Sequence, residues 1–251
     1  MQLHGILVLY NSKLENSDTY NSIKNINNLN IIVCDNSTKQ LNNEEFSNSK
    51  NNIKYINMHG NKGLSKAYNK AIELIEKTDE NLVCIFDDDT TIPTNYFEVM
   101  HNYAKNFDAK VFLPVVYDQV ALLSPCRIKG NKICRATSLD FDINNITAIN
   151  SGMAIKASVF KNYKYDENLF LDYIDHQFIK DMKKRKIELK LVKEITLNQN
   201  FSSFSDSKSA AMKRFNIYKK DIKYFYRKSY HYYLYTILKR RIKLIFKYKS
   251  I

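Results

Sequence analysis

Tryptophan is absent from this 251-residue chain, and it holds only five glycines and three prolines. No G-x-G-x-x-G run and no G-K-[ST] run occurs, so neither a dinucleotide fingerprint nor a P-loop is supported. There is no Pro- or Gly-rich linker and no internal repeat. The four cysteines, Cys34, Cys84, Cys126 and Cys134, form no C-x-x-C pair. Cys34 and Cys84 sit in apolar runs, where a reduced thiol behaves as a small buried hydrophobe, and a reducing cytoplasm suits them best. No apolar run approaches the ~18 residues of a membrane-spanning helix. Met1-Gln2-Leu3-His4 has no basic n-region or cleavage site, so no signal peptide is expected.

Acids are nearly missing from one region. Residues 213–251 hold 13 Lys/Arg against the single acid Asp221, a net +12 out of the formal +13. The other 212 residues, with 26 Lys/Arg and 25 acids, net +1. The basic region also has eight of the 18 tyrosines. A nearly neutral domain with a basic, tyrosine-rich tail is expected, divided as residues 1–205 and 206–251.

Periodicity organises the first part. Residues 5–10 (GILVLY), 31–34 (IIVC), 53–58 and 82–86 read as strands. Leu64, Ala67, Tyr68, Ala71, Ile72 and Ile75 line one face of a helix. Strands alternating with helices predict an α/β fold with a mostly parallel sheet covered on both faces. Further on, 111–117 and 188–197 read as strands and 173–186 as a helix. Residues 125–135 read as a hairpin around Gly130-Asn131, and 146–155 as a strand broken at Ser151-Gly152. From Met212 onward the pattern is helical and basic.

The strongest chemical signal is Asp87-Asp88-Asp89, placed directly after the strand at 82–86. Acids there project into the crevice at the C-terminal edge of an open α/β sheet. Three adjacent carboxylates repel one another unless a counter-ion is present. Hard oxygen donors favour Mg2+ or Mn2+; a solvated acidic turn is the alternative. Asp35 ends the second strand at the same edge and suits a base or ribose, or else closes an Asx turn. The segment 59–63 precedes the helix with N–H groups that suit an anion. Asp172 and Asp175 share a helical face near a helix start, where acids are favoured by the dipole. A carboxylate there is also a candidate general base.

In order, the segments LVLYN, IIVCDNS, HGNKGLSKAYNKAI, CIFDDDTTIP, NSGMAIKASVF and FLDYIDHQF resemble the family 2 glycosyltransferases of the GT-A fold, over residues 3–201. The likeness is to members that build bacterial surface polysaccharides, rhamnosyltransferase-like ones included. It implies a GT-A-like doubly wound sheet with a C-terminal helical extension, a UDP- or dTDP-sugar donor, and Mn2+ or Mg2+. Tyr10, Asp35, Asn61, Gly63, Asp87 and Asp88 would bind the donor nucleotide. Asp89, with Asp87, would hold the metal; Ser151, Gly152 and Asp172 would lie on the acceptor side. Asp175 would be the base of an inverting transfer to a glycan or lipid-linked acceptor. Where such enzymes commonly carry a metal- or diphosphate-binding His, this chain has Asn198-Gln199-Asn200. Arg214 is expected to pack the tail or to reach the diphosphate.

In the tail, Leu234, Ile237, Leu238, Arg241 and Ile245 approximate one helical face, with Lys239, Arg240, Lys243 and Lys247 around it. This suits the anionic inner leaflet of a membrane, making the protein cytoplasmic and peripheral. An oligomerisation helix and nucleic-acid binding are the competing uses, the last disfavoured by the neutral remainder. A catalytically degenerate binding protein is the alternative for the whole chain.

Overall fold

The computed structural model describes residues 1–118, 121–140, 142–199 and 207–249. The first part alternates as expected: β1 (Gln2–Leu9), α1 (Asp18–Ile23), β2 (Leu29–Asp35), α2 (Asn43–Asn48), β3 (Ile53–Asn57), α3 (Leu64–Glu73) and β4 (Asn81–Phe86). Next come β5 (Thr90–Thr91), α4 (Tyr96–Asn106), β6 (Val111–Asp118), β7 (Ala121–Ser124), β8 (Cys126–Lys129) and β9 (Lys132–Cys134). Then follow β10 (Ile146–Thr147), β11 (Met153–Lys156), α5 (Ile174–Lys184), β12 (Leu189–Gln199), α6 (Lys208–Phe225) and α7 (Tyr230–Tyr248).

The main sheet runs β3-β2-β1-β4-β11-β6-β12-β5, with β7 paired to β6. Strands β3, β2, β1 and β4 are parallel neighbours, as are β6 and β12. β11 inserts antiparallel between β4 and β6. A small antiparallel sheet, β10-β8-β9, carries the expected hairpin at Gly130-Asn131. The strand expected over 146–155, with its break at Ser151-Gly152, is divided into two strands, and these join different sheets: β10 the small one and β11 the large one.

β4 shows why its sequence is a continuous apolar run. Successive side chains point to opposite faces, so Val83 and Ile85 enter one core layer while Leu82, Cys84 and Phe86 enter the other. Helix α3 covers the first layer with Ala67, Tyr68, Ala71 and Ile72. Helices α1 and α4 cover the second with Tyr20, Ile23, Tyr96, Phe97 and Met100. A strand buried on both faces cannot alternate with polar residues.

The C-terminal helices differ from each other. α6 starts at the cap Ser207, whose side chain accepts from Ala210 N–H. It buries Phe215, Tyr218, Ile222 and Phe225 in the same layer as α3. α7 buries only Tyr233 among its described residues and exposes Leu234, Leu238, Ile242, Ile245 and Phe246. The proposed division at 205/206 and the expected Asn200 and Phe201 positions lie outside the described residues. Among the described residues, no helix is long and apolar enough to cross a membrane.

Candidate active site

β1, β2 and β4 are parallel, so their C-terminal ends open on one edge. The turn Asp87–Asp89 hangs there from β4, tied to the first helical region. Thr19 Oγ1 donates to the Asp87 carbonyl, Ser17 Oγ to the Asp88 carbonyl at 2.7 Å, and Ser12 Oγ to the Asp88 carboxylate. β11 and β12 bring in residues from far along the chain. Ser151 Oγ donates to Asp87 Oδ2, and Gln199 Nε2 donates to Asp87 Oδ2 at 3.1 Å and to Asp89 Oδ1 at 3.4 Å.

This cluster is poorly solvated. Burial pushes the Asp87 carboxyl up to about 6; the charges of Asp89, Asp88 and Asp175 add to this, and the Ser151 hydrogen bond opposes it. Burial, then Asp88, raises Asp89. Burial also raises Asp88, against its bond from Ser12. Three buried oxygens in this neighbourhood, Gln199 Oε1, Thr90 Oγ1 and Asn150 Oδ1, have no hydrogen-bond partner among the described residues. Leaving such an oxygen unsatisfied costs about 1–3 kcal/mol, so they are prepared acceptors for a ligand. Among the described residues no group of three or more His, Cys, Asp or Glu forms a metal cage. A pair of carboxylates is nevertheless enough where a substrate phosphate supplies the remaining oxygens.

The other expected site residues take distinct positions. Asp175 sits in the first turn of α5, and its Oδ1 accepts the His176 N–H at 2.7 Å. Its charge is the weakest of those that raise the Asp87 carboxyl. Tyr10 is exposed at the end of β1. Asp35 borders a cavity of about 860 Å³, which Tyr55 and Asn57 also line. Its carboxylate is already engaged, accepting from Ser37 N–H, Asn43 Nδ2 and Tyr55 Oη at 2.8–2.9 Å. Asn61 Oδ1 accepts from Gly63 N–H at 3.1 Å, shaping the loop before α3. Gly152 turns inward: a Cβ there would meet Leu197 Cδ1 at 2.2 Å, so its role is to let β11 pack while Ser151 reaches Asp87. Asp172, expected beside the acceptor, is held by a two-pronged pair with Arg214, one contact being 2.6 Å. Arg214 therefore packs α6 onto the site loop. Ser12, Ser17 and Thr19 carry no motif of their own, and only their place after the first strand could have marked them.

Gly63 has φ +88°, and a Cβ would lie 2.6 Å from the Phe170 carbonyl oxygen. That carbonyl also accepts the Leu64 N–H at 2.7 Å. Gly63→Ala is expected to lose roughly 2–4 kcal/mol, from left-handed strain and a backbone clash; denaturant unfolding measures it, and a loss under ~0.5 kcal/mol would contradict it.

The profile of glycosyl transferase family 2 matches residues 6–164, more than half of the chain, and the protein belongs to that family. A dTDP-rhamnosyl transferase, RfbF of Shigella flexneri, is 26% identical over 183 residues, 70% of this chain and 61% of its own length. This chain thus spans less than two thirds of that relative. The S. aureus TarS 1–349 structure superposes with TM-score 0.58 at 17% identity, over 89% of this chain and 66% of TarS 1–349. The GalNAc-T7 structure with UDP, GalNAc and Mn2+ superposes with TM-score 0.59 at 13% identity, over 90% of this chain and 50% of that one. These likenesses establish a GT-A type of fold with a mostly parallel central sheet.

Proposed function

We propose that this protein is an inverting glycosyltransferase that moves a sugar from a UDP- or dTDP-linked donor to a glycan or lipid-linked acceptor. The carrying observation is the convergence of Asp87, Asp89, Ser151 and Gln199 at the sheet edge, and the charge of Asp175, in the first turn of α5, acts on Asp87. Relatives support the donor class: one is a dTDP-rhamnosyl transferase and another has been solved with UDP-GlcNAc. Surface polysaccharide is the product class that fits such relatives.

Asp175 takes the proton from the acceptor hydroxyl. The acceptor oxygen bonds to the anomeric carbon as the bond from that carbon to the diphosphate oxygen breaks, and the nucleoside diphosphate leaves from the opposite face. The anomeric centre inverts. Ser151 and Gln199 hold the Asp87 carboxylate in place. Asp87 and Asp89 would hold Mg2+ or Mn2+, which when bound offsets charge on the departing diphosphate. The unpartnered oxygens of Gln199 and Thr90 suit that cation or the donor hydroxyls. Tyr10, Asn61 and Gly63 are assigned to the nucleotide side.

Thermal unfolding against a panel of sugar nucleotides tests the donor and metal assignments together, because a ligand that binds only the native state raises the melting temperature. A shift from one nucleotide class with Mn2+ or Mg2+ is expected. It should disappear with EDTA and in Asp89→Asn. An undiminished shift in EDTA would remove the metal, and no shift from any nucleotide would remove the donor assignment.

The tail completes the proposal. α7 exposes an apolar stripe, Leu234, Leu238, Ile242 and Ile245, beside Lys239, Arg241, Lys243 and Lys247, and carries no acid. An apolar face rimmed only by cations complements an anionic lipid surface, with each cation contributing ~1 kcal/mol. The enzyme would then act in the cytoplasm at the inner leaflet.

A further inference from the structure

A second cavity, of about 340 Å³, opens between the β8–β9 hairpin, helix α5 and the corner joining α6 to α7. Ile128, Ile133, Phe225 and Tyr226 supply apolar lining, and Lys180, Lys184, Arg227 and Lys228 supply four cations. Lys183 also borders it, but its Nζ is spent on the Asn144 and Ile146 carbonyls. The one acid in the lining, Asp181, already accepts from Gln177 Nε2 at 2.8 Å and from Tyr163 Oη at 3.4 Å.

The cations converge on shared space. Burial holds Lys180 below its usual range, with Arg227, Lys228 and Lys184 adding repulsion and Asp181 opposing. Arg227 is oriented in advance: its Nη1 donates to the Tyr224 carbonyl at 2.9 Å and its guanidinium stacks on the Tyr224 ring at 4.1 Å. An oriented guanidinium beside several ammonium groups suits phosphate oxygens. A merely solvated basic face would not need an apolar-floored cavity.

Position gives the cavity its role. His176 and Gln177, the residues after Asp175, form part of its wall. Asp175 and Lys180 are five residues apart on α5, ~7.5 Å of axial rise and ~140° around the helix. The other wall is the root of α7, where Asn131 Nδ2 donates to Ser229 Oγ at 2.8 Å. The cavity thus adjoins both the helix that carries Asp175 and the root of the helix assigned to the lipid surface.

We propose that this cavity binds the phosphate or diphosphate of a lipid-linked acceptor, setting the acceptor hydroxyl against Asp175. The assignment of the phosphate to an acceptor rests on the glycosyl-transfer function above; the anion site does not. The probe is geranyl diphosphate, a short prenyl diphosphate, titrated calorimetrically in EDTA at fixed ionic strength so that no metal-bound diphosphate contributes. Inorganic pyrophosphate should compete with it, and geraniol, which lacks the charge, should not bind. The Lys180→Gln, Lys184→Gln, Arg227→Gln triple variant should weaken binding at least ~10-fold while keeping the sugar-nucleotide thermal shift. Unchanged binding in that variant, or equal binding of geraniol, would overturn the site.

Phosphatidylglycerol vesicles separate the lipid headgroup from the acceptor. Vesicle retention should survive the triple variant and fall when Lys239, Lys243 and Lys247 become Gln. Retention lost with the triple variant would make the cavity a headgroup site and overturn the acceptor assignment. Absence of any sugar-nucleotide shift alongside intact geranyl diphosphate binding would instead reject the transferase function and leave the anion site standing.

Discussion

Asp175→Asn is expected to lower sugar transfer by about 10²–10⁴-fold, the usual contribution of a positioned general base, while donor binding persists. The amide keeps the shape of the carboxylate, and its oxygen can still accept the His176 N–H that fixes the Asp175 side chain. It cannot take a proton from an acceptor hydroxyl. Donor binding should not weaken, because the Asp175 charge is one of those raising Asp87, and its removal makes Asp87 easier to ionise. The measurement is transfer rate at saturating donor together with the donor-induced thermal shift. Transfer within ~3-fold of the parent would remove Asp175 as the base. Loss of the shift as well would make it a donor-binding residue.

The expectations that held were those the sheet itself writes into the sequence. β4 is buried on both faces, so its run of five apolar residues, Leu82 to Phe86, and the acid turn after it stand out in one dimension. α3 has a one-sided apolar stripe because only one side meets the sheet. α4 went unread, although Phe97, Met100 and Ala104 lie at helical spacing and are buried. Its polar residues and the nearby Pro93 mask the pattern. The break at Ser151-Gly152 within 146–155 is legible, but periodicity cannot reveal that the two halves join different sheets.

Candidate site residues stand out in the sequence one by one, but their hydrogen-bond partners do not. Gln199 lies 112 residues from Asp87, and nothing local says that its amide stands between Asp87 and Asp89. Ser151 was legible only through its place in the ordered segments. Asp35 illustrates the reverse: a carboxylate at the correct strand end turns out to be engaged by Asn43 and Tyr55. Asp172, expected on the acceptor side, pairs with Arg214, 42 residues away, which no local pattern announces. Long-range polar pairing leaves no periodic trace in a sequence.

The same long-range pairing makes Asp221→Ala the substitution with the largest expected effect on stability, a loss of about 3–5 kcal/mol. Asp221 is the one acid in the basic region and is only 1% exposed. Its oxygens accept the N–H groups of Phe170, Leu171 and Asp172 at 3.0, 2.8 and 2.8 Å. Hydrogen bonds to a charged acceptor contribute about 1.5–3 kcal/mol each, though not additively, and Ala would leave three N–H donors unpaired. At ~2–4 °C per kcal/mol for a domain of this size, the melting temperature should drop by roughly 10 °C. Asp221→Asn keeps one carbonyl acceptor and should fall in between. The loop at 170–172 also leads into Tyr173, at φ +65°, and then into Asp175. Slackening it should therefore reduce transfer even far below the melting temperature, where the variant is folded. A melting temperature within ~3 °C of the parent would show that α6 does not anchor this loop. A large drop with full activity in the cold would confine Asp221 to stability and leave the placement of Asp175 to α5 alone.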